Sequence, residues 1–210
     1  MFRNLSFFFL ISLLFSGVAH AEKLQENIFA AVYLKDDKIG HIHLTTVTNE
    51  KGEVEELRAN ASVSFLGMEV YGFNQNLTEK WVNGELQEMK GKTDDNGTPH
   101  EISLNRGTDG YEATYNNKDV DLPITAFPTS PWHYAITENK LLFNIVDFDL
   151  LTVQIDSAPD TVEIGNKSVE TNKFTFTGDW KAILWFDTAN KFVKGEYDIS
   201  GRQIMVVVDQ

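Results

Sequence analysis

The sequence predicts an all-β protein, built as a single antiparallel meander that is curved into a half-barrel or clam. Strand-like runs recur at intervals of roughly eight to a dozen residues, which is typical of all-β domains. No helical period of apolar residues persists over a long window. Turn signals separate the runs. The strongest are Asn83-Gly84 and Asn96-Gly97, because both central positions of a two-residue hairpin turn need positive φ.

The first residues have the pattern of a removable export signal. Arg3 is followed by the apolar run 7–15 and by Ala19-His20-Ala21, an A-x-A cleavage pattern. This run is shorter than the roughly 20 residues that cross a bilayer, and the chain has no cysteine to carry a lipid. We therefore expect a signal peptide over residues 1–21, a periplasmic location and one all-β domain over residues 22–210.

The charge balance excludes one class of partner. The chain has 31 acidic and 18 basic residues, a formal net charge of −13. Such a surface repels phosphate backbones and anionic membrane surfaces, so we expect no nucleic acid and favour neutral, cationic or apolar partners. A chain of 210 residues is long enough to bury a sizeable core, which explains how an exported protein can do without disulfides.

Strand signals follow one another through the first half of the chain. From Ala59 to Phe65 apolar and polar residues alternate strictly, as in a strand with one buried face. Gly67 interrupts this run, and Asn116-Asn117 provides a further turn. The predicted strands cover residues 27–34, 39–48, 54–65, 68–81, 85–93, 101–105 and 111–115.

The stretch from Leu122 to Lys140 differs in composition. It holds Pro123, Pro128 and Pro131, three of the five prolines in the chain, and proline cannot donate to the ladder of a central strand. It is nevertheless rich in large apolar side chains, so we predict a packed loop rather than disorder. A short helix is predicted within it, over residues 133–140, and the whole stretch is expected to cover the concave side of the sheet.

The remaining chain is predicted to return to strands. Residues 141–155 should hold one or two strands, residues 156–160 a loop, and residues 162–169 a strand pair that turns at Gly165-Asn166. Four apolar-rich runs follow between Lys173 and Val208. Side chains alternate along a strand, so Leu184 and Phe186 share one face and Trp185 lies on the other. Because both faces are apolar, something must cover the second one.

Few residue patterns indicate chemistry. His41 and His43 share a strand face but lack an evident third ligand, so a solvated face explains them. Ser130 and His133 form a nucleophile and base in one neighbourhood, without the glycine-flanked elbow that presents a catalytic serine. Asp147 and Asp149 would share a strand face as two solvated carboxylates. From the sequence we assign no catalytic residue, no metal and no cofactor.

The aromatic residues are more informative. One interpretation is a well-filled core. The other is an apolar cleft between the curved sheet and the loop at residues 123–132, where an acyl chain or a hydrophobic peptide would bind. The candidate ligand-binding residues are Phe73, Trp81, Trp132, Tyr134, Trp180 and Trp185.

Three stretches resemble DUF6134, an exported bacterial family of unknown function. The first is Asn74 to Leu86, a polar strand followed by Glu-x-Trp and Gly-x-Leu. The second is Ser130 to His133, in which His133 stands where family members usually have asparagine. The third is a Leu-Trp-aromatic-Asp hairpin that runs from Leu184 to Glu196. The resemblance covers most of the chain after residue 21 and implies no particular activity.

The C-terminal hairpin is also similar, at the level of fold alone, to that of periplasmic lipoprotein carriers, whose curved antiparallel sheet holds lipid on its concave face. Fold does not determine function, and three hypotheses follow. The first is a non-catalytic module for an apolar or lipidic ligand. The second is a structural or accessory protein of an envelope assembly, with a filled core and a protein partner. The third is a serine hydrolase that uses Ser130 and His133.

Overall fold

The computed structural model describes residues 24–65, 68–199 and 201–209; the predicted signal peptide lies outside them. Strands make up 74% of the described chain, which confirms the all-β prediction. In chain order the strands are β1 Leu24–Leu34, β2 Asp37–Asn49, β3 Gly52–Phe65, β4 Met68–Val82, β5 Glu85–Asp95, β6 Thr98–Arg106, β7 Tyr111–Tyr115, β8 Lys118–Leu122, β9 Phe127–Pro128, β10 Leu141–Phe143, β11 Leu150–Ile164, β12 Lys167–Gly178, β13 Ala182–Asp187, β14 Phe192–Ile199 and β15 Arg202–Val208.

One short 3₁₀ helix, Tyr134–Glu138, lies between β9 and β10, inside the stretch for which a short helix was predicted. No helix in the described ranges is long and apolar enough to cross a membrane.

All the strands belong to one sheet, in the order β8-β7-β6-β5-β4-β3-β2-β1-β15-β14-β13-β12-β11-β10-β9. Neighbouring strands are antiparallel and follow one another as a meander, as predicted, except for the parallel pair β9 and β10. The first and last strands pair with each other in the middle, where Ala30 lies opposite Val208 and Leu34 opposite Ile204. The middle of the chain therefore forms the two edges of the sheet.

The connection between the two edges requires strong curvature. A flat sheet of fifteen strands spaced about 4.8 Å apart would be roughly 65 Å wide. The edge strands β8 and β9 are separated by residues 123–126 alone, which span less than ~20 Å even when fully extended. The sheet therefore curls until its edges approach, without closing into a barrel.

Residues 129–140, which we call the cover, connect the two parallel strands of the sheet. β9 and β10 run parallel, with Phe127 opposite Leu142. Parallel neighbours need a crossover of about a dozen residues, whereas antiparallel neighbours need only a tight turn. The cover is this crossover, and its Ile136 is fully buried among residues of the sheet.

The hairpin turns lie where the sequence predicts them. Asn83 and Gly84 have φ values of 54° and 77°, and Asn96 and Gly97 have 53° and 86°. Asn116-Asn117 adopts the same left-handed backbone. These residue types tolerate positive φ at low cost, so the turns fix the register of the pairs β4–β5, β5–β6 and β7–β8.

The interior consists of two apolar clusters that are joined. One is formed mainly by β2 to β8 and the other by β1 and β11 to β15. Ile42, Phe127 and Trp132 pack against both clusters. The largest fully buried side chains are Phe143, Phe148, Phe176, Phe186, Leu44, Leu86, Met89, Leu104, Leu122, Ile136, Leu142 and Leu184.

The predicted loop at residues 156–160 is wrong, because β11 runs through it without a break. Pro159 lies opposite Asn172 of β12. On its other side β11 pairs with β10 only at residues 150–152, so no strand is paired with Pro159 there. A proline is tolerated at such an edge because its missing N–H interrupts no ladder.

Candidate functional site

The cover lies over the concave face of the sheet and is held there by aromatic packing. Trp132 meets Phe192 edge-on, with ring centroids 5.1 Å apart. Tyr134 meets Phe186 and Phe174 in the same manner, at 5.2 and 5.8 Å. Such edge-to-face contacts suit the charge distribution of aromatic rings. The cover thus fills the space that the sequence analysis assigned to a cleft.

The backbone of the cover makes few bonds to the sheet. At its ends Thr129 donates to the Phe143 carbonyl, and the Lys140 carbonyl accepts from Val153. In between, the described backbone bonds are local, such as those from His133 to Ser130 and from Ile136 to His133. The cover is therefore attached to the concave face mainly through side chains.

Five of the six candidate ligand-binding residues pack against this interior. Trp81 is buried in the first cluster, 5.5 Å from Phe127 between ring centroids. Trp180 packs on Phe176 at 5.2 Å, and Phe73, Trp132 and Tyr134 are half-buried against the second cluster. They all pack into one joined interior, although only Trp132 and Tyr134 belong to the cover.

Trp185 lies on the opposite face of the sheet from the other five. It alternates with Leu184 and Phe186, which are fully buried in the interior. Its indole N–H donates to Asp160 Oδ2 at 2.9 Å, and the ammonium groups of Lys173 and Lys194 lie over its ring. These contacts give the second face of the C-terminal meander the protection that its apolar sequence requires.

A cluster of ionisable groups lies where the cover meets β3 and β4. Glu55 and Glu79 are directly opposite each other in the register of these strands and are only 5% and 3% exposed. His133 of the cover places Nε2 2.9 Å from Glu55 Oε2 and 3.7 Å from Glu79 Oε2. We call Glu55, Glu79 and His133 the carboxylate–histidine cluster.

Trp81 supports the cluster from the sheet. It lies two residues after Glu79, so both side chains point inward, and a bulge between Lys80 and Trp81 shifts the register there. The Trp81 indole N–H donates to Glu79 Oε2 at 2.9 Å. Its ring also packs against His133 in a tilted arrangement, with centroids 3.9 Å apart.

Burial and the charges within the cluster shift the pKa values of Glu79 and His133. The pKa of Glu79 is raised to about 7, chiefly by burial and also by the charge of Glu55, against the lowering effects of His133, Trp81 and Ser130. Burial on its own would lower the pKa of His133, but the hydrogen bond and charge of Glu55, with the charges of Glu79 and Glu53, raise it overall. The cluster therefore retains protons to a higher pH than the isolated groups would.

Two polar groups of the cover are buried without a hydrogen-bond partner among the described residues: the Ser130 hydroxyl and the Trp132 indole N–H. Ser130 is fully buried. Its hydroxyl is close enough to Glu79 to lower the pKa of that carboxyl, yet outside hydrogen-bonding geometry.

The geometry gives no support to a hydrolase at Ser130 and His133. A serine nucleophile needs a hydrogen bond to its base, and the Ser130 hydroxyl has no such partner in the described chain. His133 instead directs Nε2 to Glu55. Burial of Ser130 also keeps a substrate away from its oxygen.

Other residues singled out in the sequence lie apart from the interior. His41 is exposed, and His43 stacks on Phe29 at 4.3 Å. Asp147 and Asp149 were expected on one strand face, which is wrong. They lie in the connection between β10 and β11, where Asp147 Oδ1 accepts from the Asp149 N–H.

Two open grooves on the surface, of about 380 and 480 Å³, are lined mostly by charged and polar residues and contain none of the six candidate aromatic residues.

The sequence analysis missed the carboxylate–histidine cluster. A signal was present, because Glu79 falls between Leu77 and Trp81 on the apolar face of its strand, and Glu55 shares a face with Leu57. A charged residue at a core-facing position is rare unless it is paired. The register that places the two carboxylates opposite each other is not visible in the sequence.

The fold and the site define a β-barrel-like protein with a curled open sheet and a covered apolar interior. The DUF6134 family, a domain of unknown function, matches residues 31–209, and the chain belongs to this family. Among solved structures it is similar to a β-barrel-like protein of the domain of unknown function DUF1849 from Brucella abortus. The TM-score is 0.60 and the identity 9%, over 88% of this chain and 95% of that one. No curated protein matches the sequence.

Proposed function

We propose that this protein is a non-catalytic periplasmic module that binds an apolar or lipidic ligand on the concave face of its sheet, beneath the cover. The observation that carries the proposal is the attachment of the cover. Between its two ends the described backbone bonds are local, so the cover can lift without breaking the ladder of the sheet. Segments of this kind open at a lower free energy than core strands.

Lifting the cover would expose a surface suited to an acyl chain. Trp132 and Tyr134 would leave the rings of Phe174, Phe186 and Phe192. An apolar ligand would replace the contacts that these rings lose, which favours binding in proportion to the apolar area buried. The Trp132 N–H, which has no partner among the described groups, would be available to a carboxyl or ester oxygen of the ligand.

A second candidate function is an accessory role in an envelope assembly, with a protein partner. It is favoured by one observation: the space beneath the cover is occupied by the protein's own side chains, including the fully buried Ile136 and Phe186. In that case the cover would be a permanent part of the core and would not move.

Native mass spectrometry of protein purified from the periplasm, followed by lipid extraction, tests the first proposal. We expect a co-purifying lipid, or uptake of lipid from added vesicles. Trp132→Ala and Tyr134→Ala should each weaken binding about tenfold or more, because each removes a ring that the cover would pack against the bound ligand. Trp185→Phe is the matched control, since Trp185 lies on the other face, and it should bind as the parent does.

A clean apo mass, without uptake from vesicles, would overturn lipid binding and leave the accessory role. Equal losses in the Trp132, Tyr134 and Trp185 variants would show that binding does not take place under the cover.

A further inference from the structure

The two carboxylates of the cluster occupy an unusual position. Glu55 and Glu79 face each other across neighbouring strands and are both buried. Like charges directly opposite in a sheet are destabilising, and buried charges need a counter-charge or a metal. His133 brings at most one positive charge for the two carboxylates, at 2.9 and 3.7 Å.

The donor atoms are spaced for a single ion. One donor from each of the three residues lies within 4.8 Å of the other two. A zinc ion binds nitrogen and oxygen ligands at about 2.0–2.2 Å, so two ligands of a tetrahedral site lie roughly 3.4 Å apart. The two measured separations from His133 Nε2 lie on either side of this value. Small side-chain rotations would bring the three donors to one centre.

Ser130 is an independent sign that a ligand belongs here. Its hydroxyl is fully buried beside Glu79 and has no hydrogen-bond partner in the described part of the chain. Buried polar groups are nearly always paired. A cation between the carboxylates would give Ser130 a role, either as a fourth oxygen ligand or as a donor to a ligating carboxylate, as groups around metal sites commonly are.

We propose that Glu55, Glu79 and His133 form a binding site for one divalent transition-metal ion of the zinc type, with Ser130 beside it. The ligand set decides the class of ion. Imidazole nitrogen combined with carboxylate oxygen suits Zn²⁺ and its first-row neighbours, whereas Ca²⁺ and Mg²⁺ prefer oxygen ligands alone. Two carboxylates, a neutral imidazole and a dication sum to a neutral buried centre.

The site would join the cover to the sheet, since His133 lies on the cover and the two carboxylates on β3 and β4. A bound ion would therefore hold the cover in place. The proposal rests on the cluster alone and is independent of whether a lipid binds.

Isothermal titration of chelator-treated mature protein with ZnCl₂ tests the site. We expect one zinc ion per chain, an increase in the melting temperature, and no comparable heat with MgCl₂ or CaCl₂. Glu55→Gln, Glu79→Gln and His133→Ala should each lower the zinc affinity by more than the ~10–100-fold that is typical of groups around a metal site. Ser130→Ala should lower it about tenfold.

The matched control is the double variant His41→Ala/His43→Ala, which removes the two histidines that share a strand face elsewhere. It should bind zinc as the parent does. If zinc is lost in this variant but kept in Glu79→Gln, the proposal is overturned. The absence of stoichiometric binding to the parent protein would also overturn it, while leaving lipid binding untouched.

X-ray absorption at the zinc edge gives a readout that does not depend on the folding of any variant. The parent protein should show one imidazole and otherwise oxygen ligands around zinc. Two or more imidazoles, or oxygen ligands alone, would contradict the assignment.

Discussion

Glu79 carries a carboxyl group at a core-facing position of the sheet, where an apolar side chain is normal. Leu77 and Trp81, two residues before and after it, are both buried in the first cluster. The residue remains there because the Trp81 N–H, His133 and a raised pKa together limit the cost of a buried charge. Its titration should therefore be visible in the stability of the whole protein.

We predict that, in chelating buffer, the free energy of unfolding falls as the pH rises from about 5 to about 8. The folded-state pKa values of Glu79 and His133 are both raised above their usual values. Raised values add stability at low pH, which is lost as the pH rises through the folded-state pKa, about 7 for Glu79. A decrease on the order of 2 kcal/mol is expected from the size of the shift.

Urea denaturation at a series of pH values measures this slope. Glu79→Gln should flatten it, because the amide does not titrate. Glu56→Gln, a change at an exposed neighbour in β3, should leave it unchanged. A stability that rises over the same pH range in the parent protein would contradict the prediction.

A second prediction at this scale compares two tryptophans. Trp81→Phe removes the N–H that binds the buried Glu79 carboxylate and should lower the free energy of unfolding by on the order of 2 kcal/mol. Trp185→Phe removes the bond to Asp160, an exposed carboxylate, and should cost clearly less because water can replace the donor. Chemical denaturation of the two variants measures the difference, and equal losses would argue against a special role for Trp81.

At the scale of elements, the proposed ligand binding depends on the mobility of the cover. Amides of residues 130–139 are held by local bonds, whereas those of β3 and β4 belong to an extended ladder. Hydrogen exchange followed by mass spectrometry should show peptides from the cover exchanging at least about tenfold faster than peptides from β3 and β4, because local opening breaks fewer bonds.

Zinc offers a control for this experiment. If the ion joins the cover to the sheet, added zinc should slow exchange in the cover and leave the β11–β12 hairpin unchanged. A cover as protected as β3 in chelating buffer would contradict the opening on which ligand binding depends.

The sequence predicts some elements better than others. The difference is whether a feature is determined by neighbouring residues or by residues far away in the chain. Asn83-Gly84 sets its own dihedral angles, so its turn was predicted correctly. The sequence predicts a loop at Pro159, and this is wrong because β11 is unpaired at that edge and tolerates a proline, which depends on the position of other strands. The carboxylate–histidine cluster depends on contacts between residues still further apart in the sequence, since His133 and Glu55 are separated by 78 positions. No local sequence pattern predicts that these two residues meet.

At the scale of the whole molecule, the pairing of β1 with β15 makes one structure out of two halves. The first and last strands meet in the middle of the sheet, where Val32 lies opposite Val206. On one side lie the strands of the first cluster, and on the other those of the second. Neither half has a separate core, because Ile42, Phe127 and Trp132 belong to both. Unfolding should therefore be cooperative across the sheet.

We predict that Val206→Asp unfolds both halves of the sheet together. Val206 is buried in the second cluster, and an unpaired carboxylate there carries a large desolvation cost. The chain has four tryptophans, and fluorine labelling gives each one its own NMR resonance. All four should lose their native positions in this variant, including Trp81 in the other cluster. In the parent protein the four resonances should share one urea midpoint.

Val207→Asp is the matched control for this effect. Val207 is half-buried on the opposite face of the same strand and lies across from Lys194, which can pair with the new carboxylate. It should keep all four native resonances. If Val206→Asp instead left Trp81 native while Trp180 moved, the two halves would fold separately. The central pair of strands would then be a contact between two units, since loss of one would not propagate to the other.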